Sequence, residues 1–429
     1  MDILQQLFSK NANEVIQSIL LYLDFQSLHV ARTVCKKWNT IICDLVWNSK
    51  KGRAVLNRER ILKWASKDPK VMAYDYHDEM FVHNSPVDAV ATSFDVDERI
   101  LVCGLSHVGE GGAKVIDVES RAIIAHLDHR KGSSEKRKLA VTEVVLTKNW
   151  IVTTTETRIY AWRRDNYELV KEIVIDRRQI VFISLSATES KKHLFITFNA
   201  FQDTKFTETV YRLSLTDSSA ITVETIPNSC TDFILTNGVL VTCKTTNSGP
   251  RIPVGLECNL TLTTYNLEVS GTEMLKLSSE QDLNTFRSAF TLVRDCISFP
   301  YFVHTEQDVD YNPEDTIGVQ TTYVSIWNLH TGELIKRLQF DLKRDGHVRG
   351  VMLKNNILVI RFKELKYNVK FYIYDINNMK SSEASDSPIN VIHRGKESRG
   401  KILDAHHFRI NNFSIIENIE DSFVFTDFC

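Results

Sequence analysis

Apolar and polar positions repeat with two different periods along this chain of 429 residues. Up to about residue 78 the period is helical. Val15, Ile16, Ile19, Leu20 and Leu23 fall at the spacing of one helix face. Asp24 and Phe25 interrupt it, and Ser27 stands where it would cap a second helix. Leu28, Ala31, Val34, Cys35 and Trp38, then Ile41, Ile42, Leu45 and Trp47, carry the spacing on. A third stretch, 54–66, holds Val55, Ile61, Leu62 and Trp64; Asp68-Pro69 ends it, because proline disfavours helix at the residue before it. From about residue 80 the pattern changes to short Val/Ile/Phe/Tyr/Thr runs separated by polar turns, as in 99–103, 150–155, 193–198, 239–244 and 357–362. No long helical pattern intervenes, which excludes a parallel β-α-β sheet.

A short unit repeats weakly throughout the strand-like region. Its clearest copy runs from Tyr323 through Trp327-Asn328 and Thr331-Gly332 to Ile335: a strand, a tight polar turn, a strand. A polar residue closing an apolar run recurs at Asp117, Arg163, Ser214, Asn266, Asn328, Asp375 and Asp427, which gives seven units with irregular insertions, chiefly 245–258 and 306–320. Gly346-His347, ahead of Tyr374-Asp375, resembles the Gly-His…Trp-Asp signature of WD-repeat propeller blades. Four-stranded sheets packed radially would cover one another's faces and protect their edges. The last unit ends on its third strand, and a strand near 80–82 is expected to supply the fourth. A β-sandwich or a six-bladed ring are the competing arrangements.

Composition changes this picture little. At 43% hydrophobic and 25% charged residues, with mean hydropathy −0.18, the chain has the balance of a soluble globular protein of two or three domains. The net charge of −2 argues against nucleic acid or a membrane surface as partner. It divides as +4 up to residue 78 and −6 beyond, so charge and period shift together. The expected domains are therefore 1–50, a helical linker at 51–78, and 79–429. None of the eight cysteines forms a C-x-x-C pair, and no secretory or membrane-spanning run is present, so reduced thiols in cytoplasm or nucleus are expected. Only 16 glycines and 8 prolines are present, few for a repeat whose turns normally use them.

The segment Glu14-Val15-Ile16…Leu23-Asp24…Ser27-Leu28…Ala31-Arg32-x-Val34-Cys35-Lys36-x-Trp38…Asp44-x-x-Trp47 resembles the F-box. The resemblance implies docking on the Skp adaptor of cullin-based ubiquitin ligases, with Ile16, Ile19, Leu20, Leu23, Leu28, Val34, Cys35 and Trp38 sharing the adaptor contact and the small core. The family usually opens Leu-Pro-x-Glu; here Asn11-Ala12-Asn13-Glu14 stands instead, which puts cullin recruitment in question. An F-box before a WD-type propeller resembles the substrate receptors of Skp–cullin–F-box ligases. The implied fold is α+β and multidomain: a small helical bundle, a helical linker and an all-β propeller of seven blades. The implied protein is non-catalytic, needs no cofactor, and acts as a monomer within its complex. A scaffold that binds the adaptor without recruiting cullin is the alternative.

The protein to be ubiquitinated, phosphorylated or not, is expected on loops between blades and between second and third strands. Arg177, Arg178, Arg251, Arg344 and Arg349 fall there on the repeat map and could pair with an anion. A basic run, 130–138, and an acidic stretch with Glu306, Asp308, Asp310, Glu314 and Asp315 also fall on that side. Enzyme motifs are lacking. Gly109-x-Gly111-Gly112 has no following Lys-Ser/Thr, and His406-His407 has no ligand at metal spacing.

Overall fold

The computed structural model describes residues 13–23, 25–34, 36–42, 46, 60–65, 69–75, 91–105, 112–129, 140–155, 157–174, 185–190, 193–202, 205–214, 221–225, 232–236, 239–247, 258–266, 272–279, 297–298, 300–309, 320–328, 331, 333–341, 345–363, 368–380, 387–396, 408–411, 414–419 and 422–428. The chain divides into two compact units, Met1–Pro69 with Phe428–Cys429, and Lys70–Asp427.

The first unit holds helices α1 (Asn13–Leu20), α2 (Phe25–Val34) and α3 (Lys36–Ile41). Ile16 and Leu20, one turn apart on α1, meet Leu28 and Ala31 of α2 and Ile41, Ile42 and Val46 in a small core. A core of seven apolar side chains, at about 1.5–3 kcal/mol for each larger one, makes a marginal bundle. The last turn of α1 tightens: Tyr22 N donates to Ile19 O and Leu23 N to Leu20 O, both at 3.1 Å. The chain re-enters helix at Phe25, so Ser27 lies inside α2 and is not its cap. Of the expected helix at 54–66, residues 60–64 are helical, and Trp64 is fully buried against Phe428 of the same unit, ring centroids 4.3 Å apart.

The second unit is β-rich. Its described strands form seven four-stranded sheets, and every pairing is antiparallel. β1 (Lys70–Asp75) comes first in the chain and belongs to the last sheet. The first sheet is β2 (Ala91–Val96), β3 (Ile100–Leu105), β4 (Gly112–Asp117) and β5 (Ile123–Asp128). The second is β6 (Glu143–Leu146), β7 (Trp150–Thr154), β8 (Arg158–Arg163) and β9 (Leu169–Val174). The third is β10 (Leu185–Glu189), β11 (His193–Gln202), β12 (Lys205–Ser214) and β13 (Ile221–Thr225). The fourth is β14 (Asp232–Thr236), β15 (Val239–Asn247), β16 (Cys258–Asn266) and β17 (Thr272–Ser279). The fifth is β18 (Ile297–Ser298), β19 (Tyr301–Val309), β20 (Gln320–Asn328) and β21 (Leu334–Asp341). The sixth is β22 (His347–Lys354), β23 (Ile357–Lys363), β24 (Asn368–Asp375) and β25 (Asn390–Lys396). The seventh is β26 (Phe408–Ile410), β27 (Ser414–Ile419) and β28 (Ser422–Asp427), completed by β1. The architecture is a small helical region with a large, propeller-like multi-sheet domain.

Neighbouring sheets meet through their first strands. β2 lies against β6, β6 against β10, β10 against β14, β18 against β22, β22 against β26, and β26 against β2. The first, second, third, sixth and seventh sheets thereby have a neighbour on either side, and alternation sorts their side chains between the two. On β7, Ile151 joins a cluster with Val102 and Val115 of the first sheet, while Trp150 and Val152 join one with Leu194 and Ile196 of the third. On β3, Ile100 and Val102 face the second sheet, and Leu101 and Cys103 pack with Phe423 and Phe425 of the seventh. Glycine serves the closest approaches. A Cβ on Gly104 would stand 2.5 Å from Val141 Cγ1, and one on Gly350 would stand 2.5 Å from Phe408 Cε1.

All seven polar positions of the sequence repeat fall on the last residue of a third strand: Asp117, Arg163, Ser214, Asn266, Asn328, Asp375 and Asp427. At Asp117, Arg163 and Asn328 the position closes the turn to the fourth strand. Asp117 N, Arg163 N and Asn328 N each donate to the carbonyl five residues on, at 2.9 Å. Asp117 Oδ1 also accepts from the amides of Glu119 and Ser120, and Asp375 Oδ1 from that of Asn377. Four residues past Asp117 and Arg163 the backbone turns left-handed, with φ 61° at Arg121 and 59° at Tyr167. Gly332 stands at that offset from Asn328 in the sequence.

Two expectations need correction. The fourth strand of the closing sheet is 70–75, running from Lys70 opposite Asp427 to Asp75 opposite Ser422. The expected position, 80–82, lies outside the described residues. Residues 70–75 also fall in the stretch expected to be helical linker. Extended backbone follows at once from Pro69, and it covers the backbone edge of β28 that would otherwise be unpaired.

Candidate functional site

The eight residues expected to share adaptor contact and core separate sharply. Ile16, Leu20 and Leu28 are buried in the core, and Leu23 and Trp38 are half-buried at its edge. Ile19 and Val34 are exposed, at 44% and 65%. Cys35 lies outside the described residues. Val15 and Tyr22, which flank Ile19, are exposed too, as is Val30, one turn before Val34 on α2. So α1 presents Val15 and Ile19 outward, one turn apart, with Tyr22 just past its end. The inward pair, Ile16 and Leu20, sits one residue further along each time. These apolar side chains lie beyond what the core consumes, where polar residues would normally face outward.

The arginine candidates fare differently. Arg177, Arg178, Arg251 and Arg344 lie outside the described residues, as do 130–138, Asp310, Glu314, Asp315 and His406-His407. Arg349 is exposed, but it is not in a loop. It is the extra residue of a bulge in β22, where the pairing with β23 shifts between Val348 and Gly350. Glu306 and Asp308, expected in a loop, belong to β19, paired with Tyr323 and Thr321.

One constellation escaped the sequence reading. Behind β5, His129 is fully buried. Its Nδ1 lies 2.9 Å from Leu127 O and its Nε2 2.7 Å from Thr153 Oγ1. Trp162 Nε1 donates to the same Thr153 Oγ1 at 3.0 Å. A neutral imidazole protonated on Nδ1 satisfies every group: Trp162 donates to Thr153, Thr153 to His129, and His129 to the Leu127 carbonyl. Burial pushes the imidazole down to about 4, outweighing the Leu127 carbonyl's opposing pull. This is a His…Trp pair of the kind sought in the repeat, but Asp128 stands where glycine would have flagged it. On the face of the first sheet toward the seventh, burial pushes the Cys103 thiol up to about 12, which makes it an inert core residue.

Against known proteins, a family model described as F-box-like matches residues 13–50. Such segments are non-catalytic protein-interaction modules, and the reading of this protein as non-enzymatic rests on that. No curated protein matches the chain. Among solved structures, Hsv2 of Kluyveromyces lactis is 9% identical, with a TM-score of 0.45 over 77% of this chain and 89% of that one. Sqt1 of Saccharomyces cerevisiae is 12% identical, at 0.40 over 82% and 83%. The WD40 domain of SCAP from fission yeast is 7% identical, at 0.38 over 83% and 98%. The chain joins an F-box-like segment to a β domain of seven described four-stranded sheets.

Proposed function

We propose that the protein is the substrate-recognition subunit of a Skp–cullin–F-box ubiquitin ligase. The helical unit binds the Skp adaptor and, through it, cullin; the β domain holds the protein to be ubiquitinated. The observation that carries this reading is the exposed apolar band of Val15, Ile19, Tyr22, Val30 and Val34 on an F-box-like unit whose core is already complete without it. Buried aliphatic and aromatic anchors of this kind dominate protein interfaces. The seven sheets are read as blades of one ring. The succession of first-strand contacts and the completion of the seventh sheet by β1 support that reading. Action as a monomer within the complex, in cytoplasm or nucleus, belongs to the same proposal.

The test is capture of the Skp adaptor by the full chain. Ile19→Asp with Val34→Asp changes only exposed positions, so the fold should survive and adaptor capture should drop at least tenfold. Undiminished capture by that folded variant would sink the proposal. A second reading, adaptor binding without cullin, is favoured by the missing Leu-Pro before Glu14. It predicts that cullin stays absent from complexes that contain the adaptor.

A further inference from the structure

We propose that Phe428 is a positioning residue of the helical unit: by closing on Trp64 it holds that unit in the form that docks the adaptor, and so makes adaptor capture depend on a completed seventh sheet. The proposal rests on the reading of the helical unit as the adaptor's dock, and adds what that dock requires.

Phe428 belongs with Met1–Pro69 and not with the sheets, although Asp427, its neighbour in the chain, ends β28. Its ring centroid lies 4.3 Å from that of Trp64, with the planes 26° apart. The two side chains are 1% and 0% exposed, so neither can touch a partner directly. Stacked aromatics of this size stabilise beyond the area they bury. The unit needs that contribution. The core of its first three helices is seven aliphatic side chains, and a bundle so small is marginal alone. The exposed apolar residues Val15, Ile19, Tyr22, Val30 and Val34 keep their arrangement only while the unit stays folded. Apparent affinity for a partner falls in proportion to the fraction of molecules in the competent form. Loss of Phe428 would lower that fraction without removing one docking contact.

The seventh sheet delivers Phe428 to its place. Lys70, which opens β1, is paired with Asp427, which closes β28. Asp427 Oδ1 accepts from Ser414 Oγ of β27 at 2.6 Å, and Asp427 Oδ2 pairs with Arg121 Nη2 at 3.2 Å. The Arg121 guanidinium also lies over the Phe425 ring, 3.6 Å from its centroid. The residue before Phe428 is therefore held from β1, from β27 and from the turn between β4 and β5. Pro69, before Lys70, has no N–H with which to continue the ladder. Strand pairing stops at Asp427, and Phe428 goes to Trp64 instead.

The test is the adaptor affinity of the full chain by biolayer interferometry, with hydrogen exchange followed at 60–65 and at 422–427. Phe428→Ala should raise the adaptor Kd at least tenfold and speed exchange at 60–65 at least tenfold. Residues 422–427 should stay protected, because Phe428 lies outside their ladder. Saturating adaptor should slow exchange at 60–65 again, since coupling between sites is reciprocal; a purely local cavity would not respond to the adaptor. Phe428→Leu, which refills much of the space without a ring, should fall between the two and serves if the alanine variant fails to fold. Asp427→Ala, which loosens β28 and alters neither ring, should raise the Kd about threefold. An unchanged Kd in folded Phe428→Ala, or in Phe428→Leu where that one is needed, would overturn the positioning role. An unchanged Kd in Asp427→Ala would overturn the dependence on the seventh sheet. If the unaltered chain captures no adaptor, the ligase reading fails, and exchange at 60–65 in Phe428→Ala still decides whether Phe428 holds the unit.

Discussion

The second and sixth sheets solve one structural problem by opposite means. The sixth carries the sequence signature, Gly346-His347, and Gly346 has φ 86°, which only glycine adopts freely. Yet its register opposes Ile360 to Tyr372, where the second sheet opposes Thr153 to Tyr160. With no hydroxyl at that position, no relay can form. Asp345 instead accepts from Tyr372 OH at 3.2 Å and from the Asp341 amide at 2.9 Å. The sheet rests on packed aromatics, with Phe362 centred 4.9 Å from Phe340 and 4.7 Å from Tyr372. The second sheet lacks the glycine but builds the relay Trp162–Thr153–His129. The glycine and the hydrogen-bonded centre are thus separable features of these sheets, and the protein keeps one in each place.

The comparison can be broken most sharply at Phe362. Phe362→Ala should cost about 3–5 kcal/mol in urea unfolding, because the sixth sheet has packing and no relay to fall back on. Acid should act on the second sheet. Unfolded His129 takes up a proton near 6.5 and the folded residue only near 4, so unfolding binds a proton between those values. Stability present above 6.5 is therefore lost as pH falls through that window, by roughly 3 kcal/mol in all. His129→Gln should remove this component of the pH dependence of the urea midpoint. His347→Gln should leave it, since that ring is only half-buried; burial and then Arg349 move its pKa down. Thr153→Val orphans an acceptor on His129 and a donor on Trp162 and should cost about 2 kcal/mol, read the same way. Asn355→Gly, at the exposed turn between β22 and β23 where φ is 56°, should shift stability by no more than about 0.5 kcal/mol.

The repeat was legible because a polar residue ends each third strand; at Asp117, Arg163, Asn328 and Asp375 it holds the turn that follows. The second strands were legible too. The five example runs fall on β3, β7, β11, β15 and β23; in β3, β7 and β23 the apolar run reflects burial on both faces. β1 was not legible, because Lys70-Val-Met-Ala-Tyr-Asp75 is too short and mixed to declare a period until Phe423 and Phe425 of its partner strand are known. The helical unit kept its division hidden for a geometric reason. Val15, Ile16, Ile19 and Leu20 cover so wide an arc that spacing alone does not say which pair turns inward. His129 stayed hidden because no glycine precedes it, whereas the hydroxyl of Thr153, distant in sequence, is what makes the histidine useful.

The pairing of β1 with β28 sets an order of assembly during synthesis. Asp75 must wait for Ser422 before its strand has a partner. At ~5–20 residues per second, that interval is roughly 20–70 s on the ribosome. The first sheets can form locally from consecutive strands while the chain grows, but the seam cannot, and closing a separation this long is slow in itself. A nascent chain therefore carries unpaired β1 for most of its synthesis, and Trp64 of the helical unit waits equally long for Phe428. Anything that holds or shields residues 70–75 in that interval governs the yield of protein with a completed seventh sheet, without touching its final stability.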